Sequence, residues 1–297
     1  MTQTLKSISR TFGLSLEFFP PKSLEASFKL WNAVDTLAGL NPDFVSITYG
    51  AGGSTREITR SAVQVVKQNY GLNIAGHLTC VDATRDETLA VAEGYAAAGA
   101  SEIVALRGDP PQGEKRFTPH PDGFSSSVEL VRALADLNKF TIRVGAYPHR
   151  HPEAANDQSD IDHLKAKFDA GADSAITQFF FESEDFLRFR DRCVAAGITQ
   201  KITPGILPIE NWSKTRAFAQ RCGTTTPDWM DKAYDNARLS NTERLLSTAI
   251  CSELCDDLLC EGVEDLHFYT LNDPTLTLEV CRCLGRTVVS ENLHQVA

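Results

Sequence analysis

Residues Leu14–Pro21 read LSLEFFPP. A short apolar and aromatic run of this kind has the composition of a strand buried on both faces. Pro20 and Pro21 end it, because neither residue donates a ladder hydrogen bond. The turn after this strand separates two fold classes. A doubly wound open sheet would carry a Gly-rich phosphate turn there; this chain has Pro20-Pro21-Lys22, and no GxGxxG occurs anywhere in it. Glu17 stands alone among Leu, Phe and Pro. An isolated buried charge is expensive, so this carboxylate must be paired, neutralised or used.

Outward from that stretch, strands alternate with helices. Further strands are predicted at Phe44–Tyr49, Ile74–Cys80, Ile103–Leu106, Ile142–Tyr147, Ser174–Phe181, Lys201–Leu207 and Asp265–Leu271. Between them, Leu24–Leu40 carries apolar residues at helical spacing. Capping boxes at Ser54–Glu57 and Thr84–Glu87 open two more helices, the first reaching Asn69 and the second stopping near Gly99. Gly50–Gly53 reads as a loop, and Asp109 leads into a long Pro/Gly loop. Helices are also predicted at Val128–Leu137, up to Gly171, and over Glu184–Ala196. Residues 209–264 exceed one crossover: a helix with Phe218, an irregular patch TTTPDW, and a helix opened by Ser240–Glu243. A last helix runs to Leu284, before a polar tail. Eight strand–helix units at intervals of roughly thirty residues predict a single-domain (β/α)8 TIM barrel over about 14–284.

The chain has 297 residues, enough to bury roughly 75% of its unfolded surface. A net charge of −10 argues against a nucleic-acid or anionic-membrane partner. It leaves anionic small ligands open, because charge is screened over about 8 Å and the pocket's own cations decide. No apolar run is long enough to span a bilayer, and MTQTLKSISRTFG lacks the apolar core of a signal peptide. Eight cysteines without a CxxC pair read as buried free thiols in a reducing cytoplasm, with no metal site.

In such a barrel, chemistry sits at the carboxyl ends of the strands. Those ends carry Glu17, Thr48, Tyr49, His77, Arg107, Asp109, Tyr147, His151, Gln178, Tyr269 and Asn272. Each has a plain alternative. Glu17 would pair with Lys22, Asp109 would cap a turn, His77 would be a core histidine, and the tyrosines would pack with a wet hydroxyl. Asp160, His163 and Lys167 share one helical face, which is solvated unless the helix leans over the mouth and presents it to phosphates. His149 and His151 have a metal-pair spacing, yet Arg150 between them repels a cation.

Taken together, the strings LSLEFFPPK, FVSITYGAGGSTRE, GHLTCVDAT, IVALRGDPP, GAYPHRHPEA, DAGADSAITQFFF, RFRDRC, PGILPI and LHFYTLN resemble the bacterial methylenetetrahydrofolate reductases, from Leu14 to Leu284. The resemblance implies a flavoenzyme. NADH, or NADPH, reduces bound FAD and leaves; methylenetetrahydrofolate enters the same pocket and takes the hydride in a ping-pong cycle. It implies a homo-oligomer, and a chain without the regulatory domain of eukaryotic relatives.

Carried over position by position, Glu17 matches the family's general acid, and an apolar setting is expected to raise its pKa and keep a proton available. Asp109 matches the carboxylate between flavin and pterin, Gln178 an amide contacting both substrates, Phe218 a stacking aromatic, and Tyr269 a substrate-contacting tyrosine. The FAD positions are Thr48, His77, Leu106, Arg107, Gly108, Asp109, Tyr147, His151, Asp160, His163 and Lys167, with Arg107 suited to grip phosphate bidentately. Two residues depart from the pattern: Asp273 replaces an arginine, and Phe124 stands where a tyrosine hydroxyl would lie near FAD. Two other readings stay open, a metal-dependent barrel hydrolase using His77, His149 and His151, and a non-catalytic folate- or nucleotide-binding barrel.

Overall fold

The computed structural model describes residues 11–49, 55–109 and 117–288. Its first strand, β1 (Gly13–Phe18), shows how the barrel is sorted. Leu14, Leu16 and Phe18 lie in the main apolar cluster beneath the helices. Ser15 and Glu17 alternate to the opposite face, where Ser15 meets His267 and Glu17 lines a cavity. Both faces are buried, as read from the sequence, but the inner one is polar.

β2 (Phe44–Ile47), β3 (Ile74–Thr79), β4 (Glu102–Leu106), β5 (Thr141–Ala146) and β6 (Ser174–Thr177) come next, each parallel to the last. The seventh strand is split into β7 (Lys201–Thr203) and β8 (Gly205–Ile206). Pro204 between them has no N–H to give the ladder, and the Gly205 N–H turns instead to Thr177 Oγ1 at 2.9 Å. β7 pairs with β6, β8 pairs with β9 (Asp265–Tyr269), and β9 pairs with β1. The sheet therefore returns on itself, and the nine parallel strands form the eight staves of a TIM barrel.

The helices are α1 (Leu24–Ala38), α2 (Arg56–Tyr70), α3 (Arg85–Ala97), α4 (Ser127–Leu137), α5 (Asp157–Asp169), α6 (Ser183–Ala195), α7 (Trp212–Cys222), α8 (Asp228–Leu239), α9 (Glu243–Cys260) and α10 (Pro274–Cys283). Thr84 and Glu87 make the expected reciprocal capping box, and Gly99 takes the left-handed conformation (φ 92°). Two expectations change. Ser240 opens nothing: it closes α8, and α9 begins at Glu243 without a side-chain cap. The last two residues of TTTPDW are helical: Asp228 and Trp229 open α8, with the extended Pro227 as its N-cap. The Gly50–Gly53 loop, Ser54, residues 110–116 and the tail from 289 lie outside the described residues. All eight cysteines are free; five are buried, but Cys260 and Cys283 are exposed, against expectation.

Candidate active site

A cavity of about 780 Å³ opens at the carboxyl ends of the strands. Every residue that the family resemblance assigns to cofactor or substrate lines it. Asn272 does not; its amide bonds the backbone N–H and carbonyl of Phe19, tying the loops after β1 and β9 together.

Glu17 stands at the floor. Its Oε2 lies 3.3 Å from His77 Nε2 and 3.7 Å from His267 Nε2, so its partners are histidines and not Lys22. Burial pushes the carboxyl up, but the two imidazoles outweigh that and hold it at about 2. This corrects the expectation of a raised pKa: the strand is apolar toward the helices only. Ser46 Oγ, on β2, lies 3.3 Å from the same His77 nitrogen.

On the opposite wall the cations gather. Arg107 is ion-paired with Glu153, and its guanidinium lies 5.2 Å from the centre of the Phe117 ring. The shared face of α5 leans over the cavity, which Asp160, His163 and Lys167 all line; Lys167 is buried, Asp160 half-buried and His163 exposed. Asp160 accepts the His151 N–H at 2.9 Å. Lys167 is only 6% exposed, and its Nζ donates to the Gly145 carbonyl at 2.8 Å. Burial pulls this ammonium down to about 8, with Asp160 opposing and Arg107 adding to the fall. Burial, then Lys167 and Arg107, push His163 down to about 4. Positive groups crowd each other here, the condition that an anionic ligand relieves.

Gly108 sits between the two halves with φ +88°. A Cβ there would come within 2.6 Å of Val81 Cγ2 and 2.9 Å of Thr79 Cβ, so only glycine lets the backbone lie against this wall. Tyr147 packs edge-on to His151, and burial with Asp109 nearby pushes its hydroxyl up to about 12. Gln178 Oε1 accepts the Phe179 N–H at 3.1 Å, and Phe218 stacks on Phe179 with ring centres 5.3 Å apart. The Tyr269 hydroxyl donates to the Thr177 carbonyl at 2.6 Å.

A profile of the family described as "Methylenetetrahydrofolate reductase" matches residues 1–285. The chain belongs to that family. The 5,10-methylenetetrahydrofolate reductase of Salmonella typhimurium is 43% identical over 286 residues, covering 96% of this chain and 95% of the relative. The Arabidopsis thaliana protein named methylenetetrahydrofolate reductase (NADH) 1 is 33% identical over 91% of this chain and 48% of its own length. Among solved structures, a Clostridium thermocellum protein described as binding two copies of 5-methyl-5,6,7,8-tetrahydrofolic acid aligns with a TM-score of 0.58 at 17% identity, over 94% of this chain and 97% of that one. That likeness bears on the fold alone.

Both departures from the family pattern sit outside the cavity lining. Asp273 is the N-cap of α10, its Oδ1 accepting the Thr275 N–H at 2.9 Å. Phe124 is fully buried, with the Arg85 guanidinium 4.8 Å from its ring centre. His149 pairs with Asp185 of α6 at 3.2 Å, and among the described residues no group of three or more His, Cys, Asp or Glu is arranged to hold a metal. The sequence reading missed His267 and Ser15, although His267 lies two residues before Tyr269 and so on the same face of its strand.

Proposed function

We propose that this chain reduces 5,10-methylenetetrahydrofolate to 5-methyltetrahydrofolate with NADH or NADPH through bound FAD, one substrate replacing the other in the same pocket. The observation that carries the reading is a single cavity in which a buried acid, an amide and a crowded set of cations face one another.

The residues present fit FAD. Arg107, His151 and Lys167 would hold its pyrophosphate, and Gly108 leaves room for the dinucleotide against the wall. Bound there, FAD supplies hydride transfer. The chain supplies the rest. Phe218, backed by Phe179, offers a flat face to either substrate ring. Gln178 can donate to one substrate and accept from the other. Asp109 stabilises positive charge as it develops on the pterin. Glu17 passes a proton to the substrate nitrogen whose bond to the bridging methylene opens. No helix among the described residues is long and apolar enough to cross a membrane, and we take the working form to be a homo-oligomer.

The purified protein should be yellow, bleach anaerobically with NADH, and regain its colour with methylenetetrahydrofolate. A colourless protein that stays colourless when FAD is added would rule the reading out. A protein that binds folate without re-oxidising the flavin would favour the non-catalytic alternative.

A further inference from the structure

Thr177 is fully buried at the end of β6 and does not line the cavity, although its neighbours Ile176 and Gln178 do. Its hydroxyl and its carbonyl are both taken up at the break in the seventh strand. Oγ1 accepts the Gly205 N–H at 2.9 Å, and the carbonyl accepts the Tyr269 hydroxyl at 2.6 Å. Tyr269 belongs to β9. The seventh strand stands between β6 and β9, so the Tyr269 side chain crosses it to reach Thr177. Gly205 makes room for that crossing. A Cβ there would press into the Thr177 carbonyl oxygen and come within 2.6 Å of Tyr269 Cε2 and 2.8 Å of its hydroxyl oxygen. Only glycine avoids all three.

We propose that Thr177 is a positioning residue: its hydroxyl occupies the Gly205 N–H, keeps its own carbonyl for Tyr269, and so holds Tyr269 and Gln178 at a fixed separation. The inference rests on the proposed function, in which both of those groups meet substrate. Gln178 follows Thr177 directly, and its backbone N–H donates to the Ala146 carbonyl of β5 at 2.8 Å. Tyr269 is bonded to the residue just before it. The two cavity-lining groups cannot drift apart without breaking a buried hydrogen bond.

The Thr177 hydroxyl decides where the Gly205 N–H goes. Pro204 has no N–H, so Gly205 carries the first donor after the break. Gly205 is buried against Thr177, where two acceptors stand, the side-chain oxygen and the carbonyl. A buried N–H without a partner is costly. Loss of the side-chain oxygen therefore turns this N–H to the carbonyl, in competition with Tyr269. Burial pushes the Tyr269 hydroxyl well above its ordinary value, so it keeps its proton and remains a donor. With that proton committed to Thr177, the phenol oxygen has only lone pairs to offer a ligand. The group it takes from a substrate is an N–H or O–H donor, such as the amide of a nicotinamide or the amino group of a pterin.

Stopped-flow half-reactions of the purified, FAD-loaded full chain test this. Thr177→Val keeps the shape of the side chain and removes its oxygen. The half-saturating concentrations of NADH and of methylenetetrahydrofolate should both rise about five- to tenfold, the loss of one hydrogen bond. The rates at saturation should stay within about twofold, because the contact is made equally before and during the reaction. Thr177→Ser keeps the hydroxyl and should restore both concentrations. Tyr269→Phe should raise them as Thr177→Val does, and the double variant should raise them no further, since both changes break one contact. Wild-type concentrations in either single variant, effects that multiply in the double, or a serine variant no better than the valine one would each overturn the proposal and leave Thr177 a packing residue. If Thr177→Val does not fold, Thr177→Ala, which leaves the Gly205 N–H more room, takes its place under the same criteria. A wild-type protein whose reduced flavin is not re-oxidised by methylenetetrahydrofolate would instead overturn the proposed function, and this inference with it.

Discussion

Glu17 and His77 meet 3.3 Å apart across the barrel floor, the carboxylate side chain 14% exposed and the imidazole 7%. They come from β1 and β3, with Ser46 of β2 between them. Burial pushes the Glu17 carboxyl up, and His77 together with His267 outweighs that and holds it low. The sequence shows a lone acid in an apolar strand; the fold shows an acid shared between histidines.

Acid unfolding should report this arrangement. The folded carboxyl sits at about 2, against an ordinary 4.5. Its stabilising contribution is therefore complete above pH 4.5 and is lost as the pH falls toward 2, on the order of 3 kcal/mol for a shift of this size. Urea midpoints of wild type and Glu17→Gln, taken from pH 6 to pH 2.5, should converge as the pH drops. Parallel curves would mean that Glu17 is not held as an anion.

The half-reactions should separate in Glu17→Gln. The substitution keeps the size of the side chain and removes its charge and its ability to pass a proton. Re-oxidation by methylenetetrahydrofolate should fall by about 10²- to 10⁴-fold, while bleaching by NADH, which needs no proton from this site, continues. Equal loss of both in a folded protein would count against the acid role.

The range of the forces involved decides which of these features were legible in the sequence. Strand composition and helix caps are local, so Leu14, Leu16 and Phe18 against Ser15 and Glu17 could be read directly, as could the cap at Thr84. The break at Pro204 was readable in principle from its missing N–H. The Ser15–His267 pair was not, because its members are 252 residues apart and meet only when β9 closes on β1. The inward turn of α5 was equally hidden. Asp160, His163 and Lys167 have the spacing of any solvated face, and only tertiary packing buries Lys167.

Asp109 should set the ease of flavin reduction. A negative charge beside the ring disfavours the anionic reduced form, so Asp109→Asn should raise the midpoint potential. A change of about 30 mV corresponds to about 1.4 kcal/mol for a two-electron couple. Dye-equilibration titration measures it; an unchanged potential would move Asp109 away from the ring.

Gly108→Ala should cost stability and cofactor together. The left-handed backbone alone penalises a Cβ by about 1–2 kcal/mol, and the added methyl would also press on Val81 and Thr79. Thermal unfolding and the flavin-to-protein absorbance ratio should both drop. Retention of full flavin content would show that this wall does not face the cofactor.

Lys167 should give FAD binding an alkaline limit. The ammonium titrates at about 8 in the free protein, because burial and Arg107 disfavour its charge. A pyrophosphate favours the charged form, so bound FAD raises the pKa and binding takes up a proton once the pH exceeds 8. Affinity should therefore be flat below pH 7 and fall through pH 8–9, by up to about tenfold per unit. Lys167→Met keeps the apolar stem and removes the charge. It should bind FAD more weakly at pH 7, and the alkaline fall should vanish. Fluorescence quenching of free FAD, titrated with apoprotein across this range, reads both effects. A Lys167→Met protein with the wild-type affinity and the same alkaline fall would place the pyrophosphate elsewhere.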